Sequence, residues 1–490
     1  MKSHLSTFNT LAFIVSYLLI FGLILYKVFN VPITHDEVGT ILFYNNFSFW
    51  DIIMLPGSSP NNHILNTVLV KVLTSFFGNS LFIVRLPNVL AFVVFSIAVF
   101  RLVKNIFTLE SIFFVAASTL FIANPYLLDF FSLCRGYGLS IAFLTLSLSY
   151  LFDGFKTLNN KQVWKALMFA IVACYASFTL LVFWVAISLI VIMYFALKYK
   201  GKLKQQFKKI SLLILLNTLF LILIAVPIYK MNVANEFVHW TSNGFKEDTI
   251  KLLVMLSLYG SEKINMFDAI VTGIIAVIIA DAIYLSYKIV QTKFNKVIFF
   301  TPLFVAVSLI LLTVIVNLVQ VWFLETPNLV GRTALFFYPL FIVVFISTID
   351  LIIKNKSKLR ALILSLGIIL FSVYHLLSTV MPSKVKEWWY DAYTVEVINF
   401  IKNQSDGNEV IIETSWLFNP SFQYHVQKEG EGWLSLEPYS KELDLKTDAL
   451  YYYIQKEDYT KLKNQFYISK KYGDNFLLKR KRKNIEVIKN

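Results

Sequence analysis

Residues 11–37 read LAFIVSYLLIFGLILYKVFNVPITHDE, a long and mostly apolar run that passes directly into a proline and then into His35-Asp36-Glu37. An α-helix rises about 1.5 Å per residue, so about 20 apolar residues cross the ~30 Å hydrocarbon layer of a bilayer. The run is too long for the apolar part of a signal peptide, and it lacks a small-residue cleavage site. We therefore interpret it as an uncleaved first membrane helix that ends at a polar segment.

Similar apolar runs recur along most of the chain. Hydrophobic residues make up 57% of the sequence and charged residues 15%, against roughly a quarter charged in a soluble domain. This composition excludes a soluble globule, a disordered chain and, with two cysteines, a disulfide scaffold. It predicts a polytopic α-helical membrane protein with about 11 transmembrane helices, at 11–30, 82–101, 109–125, 137–155, 166–180, 181–197, 211–229, 267–287, 298–318, 333–353 and 361–381.

The distribution of charge predicts the topology. The net charge is +15, but residues 384–490 hold 17 basic and 16 acidic residues, so the excess lies in the membrane part. Every second connection carries a basic cluster, and the positive-inside rule assigns such connections to the cytoplasm. We therefore expect a cytoplasmic N-terminus, an outside C-terminal tail and no nucleic-acid partner. The outside loops are then 31–80, 126–136, 230–266 and 319–332.

Two local predictions complete the architecture. The apolar stretch 166–197 is predicted to be a tight hairpin of two helices broken near Ser177–Thr179. Residues 1–382 form a transmembrane domain with a long first outer loop, and residues 383–490 form a small extracytoplasmic α/β domain. The expected elements of this tail are a helix at Thr394–Asn403, β-strands at Val410–Thr414, Phe422–Gln427 and Leu450–Gln455, and a hairpin of Phe466–Lys470 with Phe476–Arg480.

The first outer loop is the strongest candidate for a site. Adjacent carboxylates at Asp36 and Glu37 are costly at the edge of a bilayer unless they are used or well solvated. The loop continues to Asn62-His63, where an amphipathic helix begins, and closes at Arg85. A solvated pair of carboxylates that ends a helix, a polar cap at His63 and a headgroup anchor at Arg85 are the structural alternatives.

Two arginines also lie in the predicted outside loops. Arg135 precedes Gly136-Tyr137-Gly138, and Arg332 follows Gly331. Outside arginines oppose the charge bias, so each needs another reason. A guanidinium group matches phosphate oxygens in bidentate geometry, although an anionic lipid headgroup would serve equally. Carboxylates and arginines together at an outer membrane surface suggest a reaction on a lipid-linked phosphate.

These motifs resemble those of the GT-C glycosyltransferases that use polyprenyl-phosphate sugars, and more narrowly those of glycosyltransferase family 39, the relatives of protein O-mannosyltransferases and aminoarabinose transferases. Where relatives often have His-Pro, this chain has His63-Ile64. The segments that carry the resemblance are THDEVGT (34–40), SPNNHILNTVLVKVLTSFFGNSLFIVRLPNVLAF (59–92), LCRGYGLSIAFLTLSLSYLF (133–152) and GRTALFFYPLF (331–341).

The resemblance implies an inverting transfer of a sugar from a polyprenyl monophosphate donor, undecaprenyl-linked in a bacterial plasma membrane, to a glycan, lipid or protein acceptor outside. Asp36 would be the general base, with Glu37 placing the acceptor or holding Asp36. Arg135, Arg332 and then Arg85 would bind the donor phosphate. Asn62, His63 and Tyr137 would position substrates. The chemistry requires no cofactor and no metal ligand set, although a divalent cation near Asp36 would be compatible with it.

Two other classes share some of these features. A flippase or transporter of lipid-linked sugars would also need basic pockets, but it predicts ionisable residues deep in several spans, and Asp281 and His375 are the main examples here. An envelope glycan ligase or polymerase would place its long outer loop later in the chain. The identities of the sugar and of the acceptor stay open at this level.

Overall fold

The computed structural model describes residues 2–57, 59–236, 243–259, 264–353, 357–406, 408–429 and 432–481. The chain divides into two compact units. The first, here the helical unit, comprises Met1–Phe29 and Phe47–Met381. The second, here the C-terminal unit, comprises Asn30–Asn46 and Pro382–Asn490. The sequence-based division at 382/383 had assigned residues 30–46 to the membrane part, whereas the structure packs this segment with the tail.

The described residues form nineteen α-helices. They are α1 (Lys2–Asn30), α2 (His35–Val38), α3 (Phe49–Ile53), α4 (Ile64–Phe77), α5 (Leu81–Ile106), α6 (Phe113–Ile122), α7 (Pro125–Asp129), α8 (Gly136–Thr157), α9 (Asn160–Ala176), α10 (Leu181–Lys198), α11 (Leu203–Val233), α12 (Leu252–Ser257), α13 (Ile264–Gln291), α14 (Pro302–Leu324), α15 (Phe337–Ile353), α16 (Lys358–Thr379), α17 (Thr394–Ser405), α18 (Asn419–Glu429) and α19 (Tyr459–Leu462).

The helical unit is a multi-pass membrane structure. Within the described residues, eight helices are long and apolar enough to cross a bilayer: α1, α5, α8, α11, α13, α14, α16, and α10 together with the helical turn before it. The other three of the eleven predicted spans fall on the shorter helices α6 (10 residues), α9 (17 residues) and α15 (17 residues). The predicted spans thus all coincide with helices, but these three fall short of the ~20 residues that a full crossing requires.

The helices differ in how deeply they are packed. In α8, 78% of the apolar window is buried inside the protein, against 17% in α13 and 11% in α16. Lipid tails solvate apolar side chains as well as a protein core does, so peripheral helices can expose leucines at no cost. Helix α8 is therefore the centre of the unit, and α13 and α16 lie at its periphery.

The predicted break in the 166–197 stretch is confirmed. Helix α9 ends at Ala176, and Ser177 has extended backbone angles (φ −153°, ψ 118°). The Ser177 hydroxyl lies 3.0 Å from that of Thr179, and one 3-10 turn leads into α10. The amphipathic helix predicted after His63 is also present, as α4.

The tail part of the C-terminal unit is an α/β domain, as predicted. Its five strands are β1 (Val410–Thr414), β2 (Leu434–Leu436), β3 (Tyr451–Gln455), β4 (Phe466–Tyr472) and β5 (Asn475–Arg480), in the order β2-β1-β3-β5-β4. Strand β1 pairs in parallel with β2 and β3, while β5 pairs antiparallel with β3 and β4. Helices α17 and α18 pack on one face through a core that includes Val397, Ile401, Phe418 and Phe422.

One predicted strand is wrong. Residues Phe422–Gln427 were expected to be β, but they lie within helix α18. Asn419-Pro420 at its start is a typical helix-initiating pair, because proline fits the first turn without losing a hydrogen bond. Phe422 reaches the core from α18, and Phe418, just before the helix, reaches the same core. The edge position of the sheet is taken instead by the short strand β2.

The C-terminal unit should lose stability as the pH rises. Glu413 on β1 is buried, and this burial, with Glu437 nearby, raises its pKa to about 7 from the ordinary 4.5. Between these two values the unfolded chain has already released the proton that the folded chain retains, so the free energy of unfolding falls with rising pH and levels off above the folded pKa.

We expect the tail of the detergent-solubilised protein to resist urea better at about pH 5 than at about pH 8, with limited proteolysis as the readout. Glu413→Gln should reduce this difference because the side chain no longer titrates. An identical pH dependence in the variant would show that Glu413 does not cause it.

Candidate functional site

The two predicted catalytic carboxylates lie on helix α2, which continues into a π-helix at Gly39–Phe43, and their environments differ. The backbone N–H of Thr34 and its hydroxyl both donate to Oε2 of Glu37, at 3.0 and 3.1 Å. This reciprocal arrangement is a capping box, in which the third helical residue reaches back to the cap. Glu37 is fully buried, while Asp36 is 8% exposed. The Glu37 carboxylate thus holds the turn that carries Asp36.

A third carboxylate, that of Asp391 in the tail, also contacts this turn. Its Oδ2 accepts the backbone N–H of His35 at 2.7 Å, and its Oδ1 accepts the hydroxyl of Ser421, on α18, at 2.6 Å. Burial raises the pKa of Asp391 well above its ordinary value, and the nearby charges of Asp36 and Glu37 act in the same direction. Three carboxylates therefore share a small, poorly solvated region of the C-terminal unit.

The His35 side chain adds a further link within this unit. Its Nδ1 lies 2.9 Å from the carbonyl oxygen of Leu417. Its ring meets Trp416 edge-on, with centroids 5.9 Å apart, and Tyr390 at 6.4 Å. No sequence pattern pointed to Asp391 or to these tail contacts, because more than 350 residues separate the partners along the chain.

In the helical unit, the structure brings the predicted motifs around Asn62 and Arg135 together. Arg135, 1% exposed, donates from one guanidinium nitrogen to the carbonyl oxygen of Asn61 at 3.0 Å. The ring of His63 meets that of Tyr137 at a centroid distance of 4.6 Å. Asn62 accepts the hydroxyl of Thr67 at 2.7 Å and so closes the first turn of α4. Asn62, His63, Arg135 and Tyr137 therefore form one buried cluster, here the α4–α8 cluster.

Two buried side-chain amides, those of Asn66 and Asn88, connect the helices that carry this cluster. Asn88 on α5 accepts the backbone N–H of Leu139, at the start of α8, at 3.1 Å and donates to Asn66 on α4 at 2.9 Å. Leu139 is the fourth residue of α8, so Asn88 provides a side-chain acceptor in the first turn of this helix and links α5 to both α8 and α4. Sequence reasoning singled out Arg85-Leu-Pro just before Asn88 but missed Asn88 itself.

The glycines beside Arg135 are required by close packing. A Cβ atom on Gly136 would lie 2.2 Å from the carbonyl oxygen of Ala176 and 2.7 Å from Cβ of His63. On Gly138 it would lie 2.6 Å from the carbonyl oxygen of Phe130 and 2.7 Å from Oδ1 of Asn88. The Arg-Gly-Tyr-Gly motif therefore lets the start of α8 approach α4, α5 and the end of α9 closely.

The other two predicted arginines have different surroundings. Arg85 is fully buried in α5 and donates to the carbonyl oxygen of Val28 at 2.9 Å, so it holds the end of α1. Arg332 is half-buried in a 3-10 turn, Gly331–Ala334. The segment before it contacts a second predicted outer loop, because Asn328 donates a hydrogen bond to Asp248 at 3.1 Å.

A buried ion pair in the helical unit was not predicted. Nζ of Lys27, near the end of α1, lies 3.0 Å from Asp129, with both side chains almost fully buried. Lys27 also donates to the carbonyl oxygen of Met381 at 2.5 Å, and Tyr259 donates to Asp129 at 2.7 Å. A lysine at the predicted outside end of a span opposes the positive-inside rule, and that signal could have drawn attention to it.

The predicted site residues are thus divided between the units. Asp36 and Glu37 belong to the C-terminal unit, whereas Asn62, His63, Arg85, Arg135, Tyr137 and Arg332 belong to the helical unit. Over the described ranges, no three His, Cys, Asp or Glu side chains come together in a way that could hold a metal ion.

Comparison with solved structures confirms the fold class. The apo structure of ArnT from Cupriavidus metallidurans matches over 96% of this chain and 98% of its own, with a TM-score of 0.50 and 9% identity. The same protein bound to undecaprenyl phosphate matches with a TM-score of 0.42. An Archaeoglobus fulgidus oligosaccharyltransferase matches over 91% of this chain and 68% of its own, at 0.45 and 11% identity. No family model and no curated protein matches the sequence.

The fold is therefore similar to that of ArnT. At this identity the likeness establishes the arrangement of the chain. It agrees with the fold expected from the sequence resemblance: a helical membrane part followed by a small C-terminal domain with a sheet.

Replacing Gly136 tests the packing of the α4–α8 cluster. Gly136→Ala should lower the thermal midpoint of the purified protein, because forcing a methyl group into a packed site costs about 1–3 kcal/mol. Gly367→Ala in α16 is the matched control, since nothing lies within 4 Å of the added Cβ. Equal midpoints for the two variants would contradict the close approach at Gly136.

Replacing Asp391 tests how α2 is held. Asp391→Ala removes the acceptor of the His35 N–H, at a cost of about 1–3 kcal/mol for a buried donor. Hydrogen–deuterium exchange at residues 35–38 of the full-length protein should then accelerate. Asp391→Asn should retain protection, because its amide oxygen can accept from His35 while its amide nitrogen donates to Ser421. Unchanged exchange in Asp391→Ala would show that this carboxylate does not hold the turn.

Proposed function

We propose that the protein is a membrane glycosyltransferase that moves a sugar from a polyprenyl monophosphate donor to an acceptor hydroxyl on the extracytoplasmic side of a bacterial plasma membrane. The observation that carries this proposal is the ArnT-like arrangement of the whole chain, combined with the carboxylates and arginines that the sequence motifs supply. Undecaprenyl phosphate, which is bound in one ArnT structure, is the donor lipid that we propose for this chain.

In the proposed step, the oxygen of the acceptor hydroxyl attacks the anomeric carbon of the donor sugar. Asp36 takes the proton of that hydroxyl at the same time. The bond from that carbon to the phosphate oxygen breaks on the opposite face, so the configuration inverts. Asp36 is favoured over Glu37 as the base because Glu37 is engaged in the capping box. A general base of this kind typically contributes about 10²–10⁴-fold to the rate.

The leaving group is a phosphate, and guanidinium groups stabilise the charge that it gains. Among the three candidate arginines, Arg332 is the half-buried one and the first candidate for direct contact. Arg135 holds Asn61 and contributes its charge from within the α4–α8 cluster, and Arg85 supports the end of α1. A phosphate leaves without protonation, so the step needs no cofactor. A divalent cation beside Asp36 would serve the same chemistry.

The acceptor class is a glycan, a lipid or a protein of the cell envelope. In this proposal Asn62, His63 and Tyr137 position the substrates, and all three side chains belong to the buried α4–α8 cluster. The proposed orientation places the N-terminus in the cytoplasm and the tail outside. It is supported by the lysine clusters in every second connection, which the positive-inside rule assigns to the cytoplasm.

Asp36→Asn should abolish transfer, with a loss of at least about 100-fold. The first measurement is the release of polyprenyl phosphate from a synthetic polyprenyl-phosphate sugar in membranes that contain the protein. The second is mass spectrometry of the envelope glycans of a deletion strain, alone and with each variant restored. Glu37→Gln is the matched control, because glutamine also completes a capping box, and most activity should remain. Near-normal turnover by Asp36→Asn would remove Asp36 as the base. Unchanged glycans in the deletion strain would contradict the proposed function.

A further inference from the structure

A cavity of about 510 Å³ lies in the helical unit, far from the α4–α8 cluster. It is formed by the last residues of α5, α8 and α10, the first residues of α14 and Asp350 on α15. Helix α8 connects the two regions, since Arg135 precedes its first residue and Lys156 lies near its end. At 1.5 Å per residue, these two side chains belong to points about 30 Å apart along the helix axis, which is the thickness of the hydrocarbon layer.

The walls of the cavity are apolar and aromatic. Phe155 and Phe300 pack with ring centroids 5.7 Å apart, and Phe152 and Leu197 extend the same surface. The ring of Tyr194 packs edge-on against that of Phe300, with centroids 6.0 Å apart. Such a surface suits a hydrocarbon chain rather than a free polar metabolite.

The polar side of the cavity is basic. Lys156, Lys198 and Lys296 line it, together with a single carboxylate, Asp350. Lys198 is held in place by Asn160 at 2.6 Å, by Tyr194 at 3.2 Å and by the carbonyl oxygen of Leu158. It therefore contributes a fixed charge, with its three N–H groups engaged.

The other two lysines are placed to meet a ligand. Lys156 is exposed and donates to the carbonyl oxygen of Asn105 at 3.0 Å, which leaves two of its three N–H groups to turn toward the cavity. Lys296 is also exposed at the rim. All three lysines belong to the basic clusters that predict the cytoplasmic side. Basic pockets between membrane helices on that side match the headgroups of anionic lipids.

We propose that this cavity binds an anionic phospholipid of the cytoplasmic leaflet. The headgroup phosphate contacts Lys156 and Lys296 beside the fixed charge of Lys198, and an acyl chain lies against the wall formed by Phe152, Phe155, Leu197 and Phe300. The site is separate from the proposed transfer reaction, and its occupant is a structural lipid that links α8, α10 and α14 at their cytoplasmic ends.

The test measures lipid binding by the full-length protein, so it does not depend on any glycosyl transfer. Phosphatidylglycerol is titrated into the detergent-purified protein and counted by native mass spectrometry, with phosphatidylcholine as the neutral comparison. The wild-type protein should retain phosphatidylglycerol in preference. The Lys156→Ala, Lys296→Ala double variant should bind it about 30-fold more weakly, or about fivefold for each lysine near the membrane surface.

The matched control is the Lys202→Ala, Lys204→Ala double variant, which removes the same charge from the neighbouring predicted cytoplasmic connection outside the cavity. It should bind phosphatidylglycerol as the wild type does. Leu197→Trp, which fills the apolar part while keeping all three lysines, should also weaken binding. Equal losses in the two double variants would overturn the proposal, because the attraction would then be nonspecific. Displacement of the lipid by millimolar inorganic phosphate would overturn it in favour of a free-phosphate site.

Discussion

The helical unit depends on how closely the start of α8 can approach its neighbours inside a medium that offers no hydrogen bonds. Gly136 and Gly138 leave no room for side chains, and the backbone that they bring inward must be satisfied by protein groups. Asn88 contributes one such group, because its side-chain oxygen accepts a hydrogen bond from the N–H of Leu139 in the first turn of α8. Because Arg135 and Tyr137 are part of the same turn, their contacts with Asn61 and His63 follow from this packing. The residues that pack the start of α8 are therefore next to, or the same as, the predicted site residues Arg135 and Tyr137.

In the C-terminal unit, buried carboxylates hold a short helix in place. Helix α2 continues directly into a π-helix (Gly39–Phe43) and a 3-10 turn (Tyr44–Asn46), and a helical segment this short is marginally stable by itself. The capping box of Thr34 and Glu37 and the outside acceptor Asp391 together fix it. The cost is a group of three carboxylates in a poorly solvated place, which raises the pKa of Asp391.

Buried charge in the helical unit is handled by pairing. Lys27 and Asp129 form an ion pair to which Tyr259 donates a further hydrogen bond. Asp281, which a transporter interpretation would have emphasised, accepts the hydroxyl of Thr348 at 2.6 Å. A membrane-embedded carboxylate with a hydroxyl partner on an adjacent helix has a structural reason to be there. The cavity at the ends of α5, α8 and α10 is different, because three lysines and one carboxylate, Asp350, line it.

The sequence by itself determined the helices, their approximate ends, the break at Ser177 and most of the tail, because these depend on apolar length, local charge and turn residues. It also predicts Asp36, Asn62, His63 and Arg135 as site residues, because polar residues at membrane edges are costly unless they are used. It misjudged Phe422–Gln427, where apolar residues suit a strand or a helix and only the core of the C-terminal unit decides between them. Tertiary structure alone placed Asp391 on the His35 N–H, Asn88 on α8 and Lys27 on Asp129. These partners lie far apart along the chain, and no local pattern specifies which distant group will satisfy a buried one.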